Sequence, residues 1–170
     1  MSMHHLNFRS VYMDWISDGH YENPVFVTLA TNCENSNVEW SSQYEKQKYF
    51  QNKINSWDAA MCRHFIGKHY TDFPSKRQSG IMWTEHASTN IHYHGHVDIR
   101  SWSIKDYTAV SDTKWRNLVP SGTVDIQPVT DPKRLIGYMM KKQNEWSLKN
   151  NFDQMIFLPH PNKSRNFRLS

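Results

Sequence analysis

Hydrophobic and polar positions alternate with two different periods along the chain. Residues 25–31, VFVTLAT, are β-branched or apolar without a charge, bounded by Pro24 and the polar cluster NCENSN, and predict a buried first strand. Between about 41 and 69 the period lengthens. Phe50, Ile54, Trp57, Met61 and Phe65 recur at three- and four-residue spacing, the core-facing stripe of a long helix. DFPSKRQSG breaks that helix, and IMWTEHA and IHYHGHVDI then predict two strands joined by STN, a linker of hairpin length. IKDYTAVSDTKWRNLV predicts a second helix with Tyr107, Val110, Trp115 and Leu118 inward, and GTVDIQPV a further strand. Asp131 and Pro132 suit the N-cap and first position of a third helix running through KRLIGYMMKKQNEW.

The order strand, helix, strand, strand, helix, strand, helix is the split βαβ arrangement. It predicts an α+β fold, an antiparallel sheet covered by helices on one side, compatible with a ferredoxin-like domain. At 170 residues the chain is expected to form a single domain, with 1–23 as an N-terminal extension, 25–145 as the core and 146–170 as a basic C-terminal segment. Seven Trp and an aromatic share of 14% supply a few large groups to bury.

Composition narrows the setting. No apolar run approaches the ~20 residues that span a bilayer, and MSMHHLNFRSVYMDW has neither the basic leader nor the apolar stretch of a signal peptide. No membrane association and an intracellular location are therefore expected. Cys33 and Cys62 can build neither a disulfide framework nor a CxxC metal pair, and read as ordinary thiols. The net charge is only +4, but Lys133, Arg134, Lys141, Lys142, Lys149, Lys163, Arg165 and Arg168 face just Asp131, Glu145 and Asp153 from residue 131 onward. Such an end suits a polyanion partner such as nucleic acid, or is a solvated tail.

NIHYHGHVDI carries the most specific chemistry. On a strand, His92, His94 and His96 share one face, while Tyr93, Gly95 and Val97 take the other. One histidine there would be structural, but three cannot all be buried cheaply without partners. A pair of imidazoles two residues apart can chelate one metal ion from a rigid base. Glu85 on the preceding strand is the candidate oxygen ligand, whereas alternation turns His86 away. A His-His-Glu set with open positions suits a divalent ion that also accepts a phosphate oxygen. A closed structural zinc site would want four ligands, usually with cysteine, and neither Cys33 nor Cys62 is suitably spaced.

DPKRLIGYMMKKQ carries the second element. On a helix Tyr138 lies beside Arg134, Lys141 and Lys142. A tyrosine in this setting is either amphipathic packing or a nucleophile whose phenolate is stabilised by nearby cations.

Together these residues resemble the HUH endonucleases of the replication-initiator (Rep) type found in plasmids and single-stranded DNA viruses. FVTLAT looks like the family's first-strand motif, HYH at 92–94 its His-hydrophobic-His motif, and Tyr138 with Lys141 its tyrosine-x-x-lysine helix, in the expected order over roughly residues 25–145. The resemblance implies a ferredoxin-like or RRM-like fold and a Mn²⁺ or Mg²⁺ ion held by Glu85, His92 and His94. It further implies Tyr138 as the nucleophile, assisted by Lys141 or Lys142, that nicks and rejoins single-stranded DNA through a covalent 5′-phosphotyrosine.

Arg134, Lys142 and Lys149 are the expected DNA-binding cations. The implied setting is rolling-circle replication, or stand-alone nicking, by a virus, plasmid or other mobile element. Host helicase or polymerase would be partners, in the host cytoplasm, or the nucleus of a eukaryotic host. His96 departs from the family's usual apolar residue and leaves HGH at 94–96 as a second possible pair. No GxxxxGK[ST] loop occurs, so a helicase domain is not expected. Two other readings use the same residues: a nonenzymatic nucleic-acid-binding domain with structural histidines, and a metal-dependent hydrolase using activated water.

Overall fold

The computed structural model of the chain describes residues 21–33, 39–85, 90–131, 134–135 and 155–159. Among the described residues, five strands and two long helices follow in the order β1 (Pro24–Ala30), α1 (Gln43–Ile66), β2 (Ser79–Glu85), β3 (His92–Asp98), α2 (Ile104–Leu118), β4 (Thr123–Pro128) and β5 (Met155–Leu158). They form one fully antiparallel sheet in the order β4-β1-β3-β2-β5. The first four strands and two helices have the expected split βαβ arrangement, an α+β fold of the ferredoxin-like kind.

Both helices pack on one face of the sheet. From α1, Phe50, Ile54, Trp57 and Met61 enter the core as the stripe predicts, and half-buried Phe65 stacks on Trp102 with centroids 4.5 Å apart. Alternate strand residues meet them from the sheet: Val25, Val27 and Leu29 on β1, Tyr93 and Val97 on β3, Met82 on β2. The two fully buried tryptophans keep their N–H groups satisfied, Trp57 donating to Ser111 Oγ at 3.0 Å and Trp115 to the Ala30 carbonyl at 2.9 Å. Ser42 caps α1 and Ser103 caps α2, each accepting a backbone N–H with its hydroxyl.

Two buried polar groups fasten this frame. Asp98, fully buried at the end of β3, accepts the backbone N–H groups of Glu22, Asn23 and Arg100 and pairs with the Arg100 guanidinium at 2.9 Å. Asp58, on the inner side of α1, accepts from Gln78 at 2.8 Å and Arg77 at 3.3 Å, and the Tyr107 hydroxyl donates to Gln78 at 2.5 Å. Burial raises the Asp58 carboxyl above its ordinary value, against the lowering effect of Gln78 and Arg77. Cys33 and Cys62 are both buried and form no disulfide.

Three features differ from the sequence expectation. α1 ends at Ile66 rather than near 69, because Gly67 takes a positive φ of 108° and two short 3₁₀ turns follow. The second strand starts at Ser79, two residues early, since Ser79 and Gly80 pair with Asp98 and Val97. Within the segment read as a basic C-terminal extension, Met155–Leu158 forms a fifth strand on the outer edge of β2. Of the third helix, residues 134 and 135 are helical, and Asp131 caps them by accepting the Arg134 N–H at 3.0 Å. No helix among the described residues is long and apolar enough to cross a membrane.

Candidate functional site

The face of the sheet away from the helices gathers the candidate residues Glu85, His92, His94 and His96. Strand register sets Ala30, Thr28 and Phe26 of β1 opposite His92, His94 and His96 of β3, and these opposite Glu85, Trp83 and Ile81 of β2. Histidines at period two thus occupy the central strand of this face, where each can meet side chains from both neighbours.

Glu85 lies directly across from His92 in register, yet its carboxylate meets the diagonal neighbour, with Oε2 3.3 Å from His94 Nε2. The other ring nitrogen of His94, Nδ1, is 3.0 Å from the Thr28 hydroxyl. The Phe26 ring stacks nearly parallel to the imidazole, 8° between planes and 5.7 Å between centroids. His94 is therefore held on three sides while keeping 21% of its side-chain surface exposed. His92 flanks it edge-on at 6.1 Å between centroids.

His96 shares the face but not the opening. It is fully buried against the Tyr21 ring, 4.5 Å between centroids, and neither ring nitrogen has a hydrogen-bond partner among the described residues. Burial lowers its pKa to about 4, with the Asp98 charge acting the other way. Because the folded imidazole resists protonation, this group stabilises the fold above its ordinary pKa of 6.5, and the contribution is lost as pH falls through about 4. The shift corresponds to roughly 3 kcal/mol. A His96→Leu variant, close in volume, is expected to lose markedly less stability than wild type between pH 7 and pH 4.5 in urea unfolding; equal losses would place the acid-sensitive group elsewhere.

Glu85 and His94 fit as two of the ligands of a divalent ion. Adjacent donors around an octahedral ion with bonds near 2.1 Å lie about 3 Å apart, close to the 3.3 Å between Glu85 Oε2 and His94 Nε2. Carboxylate oxygen and imidazole nitrogen are also the donor types that Mn²⁺ accepts. No three His, Cys, Asp or Glu side chains among the described residues are grouped as a metal-binding set.

Beside this corner, Phe26, Gln127, Pro128, Val129, Arg134 and Leu135 line a cleft of about 360 Å³. Phe26 is common to the cleft and to the His94 stack. Arg134, expected as a DNA-binding cation, stands on its wall, four residues before Tyr138 in the sequence. Tyr138, Lys141, Lys142 and Lys149 lie outside the described residues.

Sequence reasoning passed over Thr28 and Phe26 as individual contributors. Their signal was the alternation within FVTLAT, which places both on the histidine face once β1 pairs with β3. No protein-family model, curated protein or solved structure matches the chain.

Proposed function

We propose that the protein is a metal-dependent endonuclease that nicks and rejoins single-stranded DNA, with Glu85, His92 and His94 as ligands of a Mn²⁺ or Mg²⁺ ion and Tyr138 as nucleophile. The observation that carries this reading is the partly exposed Glu85–His94 contact on the sheet face away from the helices, with His92 beside it and a donor spacing suited to a divalent ion. The family resemblance of the HYH and tyrosine-x-x-lysine motifs supports the same assignment.

When bound, the ion supplies Lewis-acid polarisation of the scissile phosphate. The phenolic oxygen of Tyr138 attacks phosphorus, the bond to the 3′-oxygen breaks, and the phenolic proton is passed by way of solvent to the leaving 3′-hydroxyl. The product is a tyrosine–5′-phosphate ester, which a 3′-hydroxyl reverses to join strands. Lys141 or Lys142 neutralises charge developing on the phosphate, and Arg134 and Lys149 hold the strand through its backbone. Phe26, half-buried at the edge of the cleft, offers a stacking surface for a base.

The test is incubation of the protein with labelled single-stranded oligonucleotides of diverse sequence and Mn²⁺, followed by a denaturing gel. Label is expected to migrate with the protein, and Tyr138→Phe is expected to abolish that band while retaining DNA affinity. Cleavage without an adduct, unaffected in Tyr138→Phe, would instead indicate a hydrolase using activated water. Binding without cleavage would indicate a nonenzymatic DNA-binding domain.

A further inference from the structure

We propose that Thr28 is the positioning residue that holds the His94 ring through Nδ1 in either tautomer and so keeps its Nε2 directed at a metal ion beside Glu85. The inference rests on the reading of Glu85 and His94 as ligands. Its basis is a chain of three side chains across three adjacent strands: Thr28 Oγ1 at 3.0 Å from His94 Nδ1, and His94 Nε2 at 3.3 Å from Glu85 Oε2.

The proton positions follow from what each group can donate or accept. A carboxylate only accepts, so facing Glu85 directly a neutral His94 carries its proton on Nε2, and Nδ1 accepts from the Thr28 hydroxyl. With an ion between Glu85 and His94, Nε2 must offer its lone pair. The ring proton then sits on Nδ1 and donates to Thr28 Oγ1. A hydroxyl both donates and accepts, so Thr28 serves either state by rotating one O–H bond. A valine of the same shape serves neither. The Phe26 ring, nearly parallel to the imidazole at 5.7 Å, restricts its tilt and leaves the edge nitrogens as its polar contacts.

The partner of His94 is thus fixed by strand register. Thr28 is the residue directly opposite His94 on β1, so the hydrogen bond is set by the backbone ladder rather than by a flexible loop. This assigns a specific task to the threonine of the first-strand segment FVTLAT.

The experiment is a Mn²⁺ titration of the full chain by the EPR signal of free Mn²⁺, for wild type, Thr28→Val and Thr28→Ser, with thermal melts in EDTA. Valine preserves the β-branched shape suited to a strand. Thr28→Val is expected to bind Mn²⁺ roughly 10- to 100-fold more weakly, in the range for loss of a partner that orients a ligand, with its metal-free melt unchanged. Thr28→Ser is expected to restore most of the affinity. Wild-type affinity in Thr28→Val overturns the role of Thr28 and leaves the metal-site reading standing, whereas absence of Mn²⁺ binding in wild type overturns both. A measurement on the unaltered protein guards against misfolding of the variants. In ¹⁵N-histidine spectra with Mg²⁺, the His94 proton is expected on Nδ1, and a proton remaining on Nε2 overturns the inference.

Discussion

Substitution of His94 by Ala is expected to slow Mn²⁺-dependent nicking on the order of 10³-fold while shifting the melting temperature by only a few degrees. The two effects separate because His94 is central to the site but peripheral to the core. Its ring joins Glu85, Thr28 and Phe26 on the face away from the helices, whereas the core residues of the same strand, Tyr93 and Val97, point the other way. Ion-mediated stabilisation of transition-state charge amounts to several kcal/mol, and each 1.36 kcal/mol is a factor of ten in rate. Removing a partly exposed ring opens the site toward solvent rather than leaving a sealed cavity. Single-turnover adduct formation and a thermal melt measure the two quantities. Undiminished nicking would remove His94 from the metal site, and a collapse in melting temperature would make it a structural histidine.

The second large effect is on the scaffold. Gly80→Ala is expected to cost at least about 3 kcal/mol, whereas Gly95→Ala, on the strand paired beside it, should cost clearly less. A Cβ at Gly80 would lie 2.2 Å from the His96 carbonyl oxygen and 2.8 Å from Val97 Cα, both backbone atoms of the neighbouring strand. Relief requires the β2–β3 ladder to separate where Gly80 pairs with Val97. A Cβ at Gly95 meets the Met82 side chain first, at 2.5 Å from Cγ, and the backbone less closely, at 3.0 Å from the Ile81 carbonyl oxygen and 3.2 Å from Met82 Cα. A thioether side chain can change rotamer and a paired backbone cannot. Urea unfolding of the two variants side by side measures the difference, and equal costs would show that the ladder yields as easily as Met82.

The same strands show what was legible in the sequence. Alternation alone located the three histidines on one face, because a period of two leaves no other arrangement for His92, His94 and His96. It did not reveal that Glu85, opposite His92 in register, would touch His94 instead. That contact depends on side-chain rotamers and on the diagonal offset between neighbouring strands, which residue spacing does not encode. The α1 stripe from Phe50 to Met61 was readable from its period, but the inward placement of Asp58 was not. Its partners Arg77 and Gln78 arrive from beyond the end of the helix, a tertiary contact that overrides the usual exposure of a carboxylate. β5 escaped notice because MIFL is only four residues long and is defined as a strand by its pairing with β2.

Asp98 has a consequence at the opposite end of its own strand. It ties the approach to β1, at Glu22 and Asn23, to the end of β3, where Pro24 pairs with Asp98 itself. A slip of one residue between these strands would exchange the two sides of β3, sending the imidazoles inward and bringing Tyr93 and Val97 to the open side. The carboxylate therefore acts as a phase lock. It fixes which of two mirror-like settings of an alternating strand is exposed, and keeps Thr28 level with His94 from a distance of four residues along the ladder.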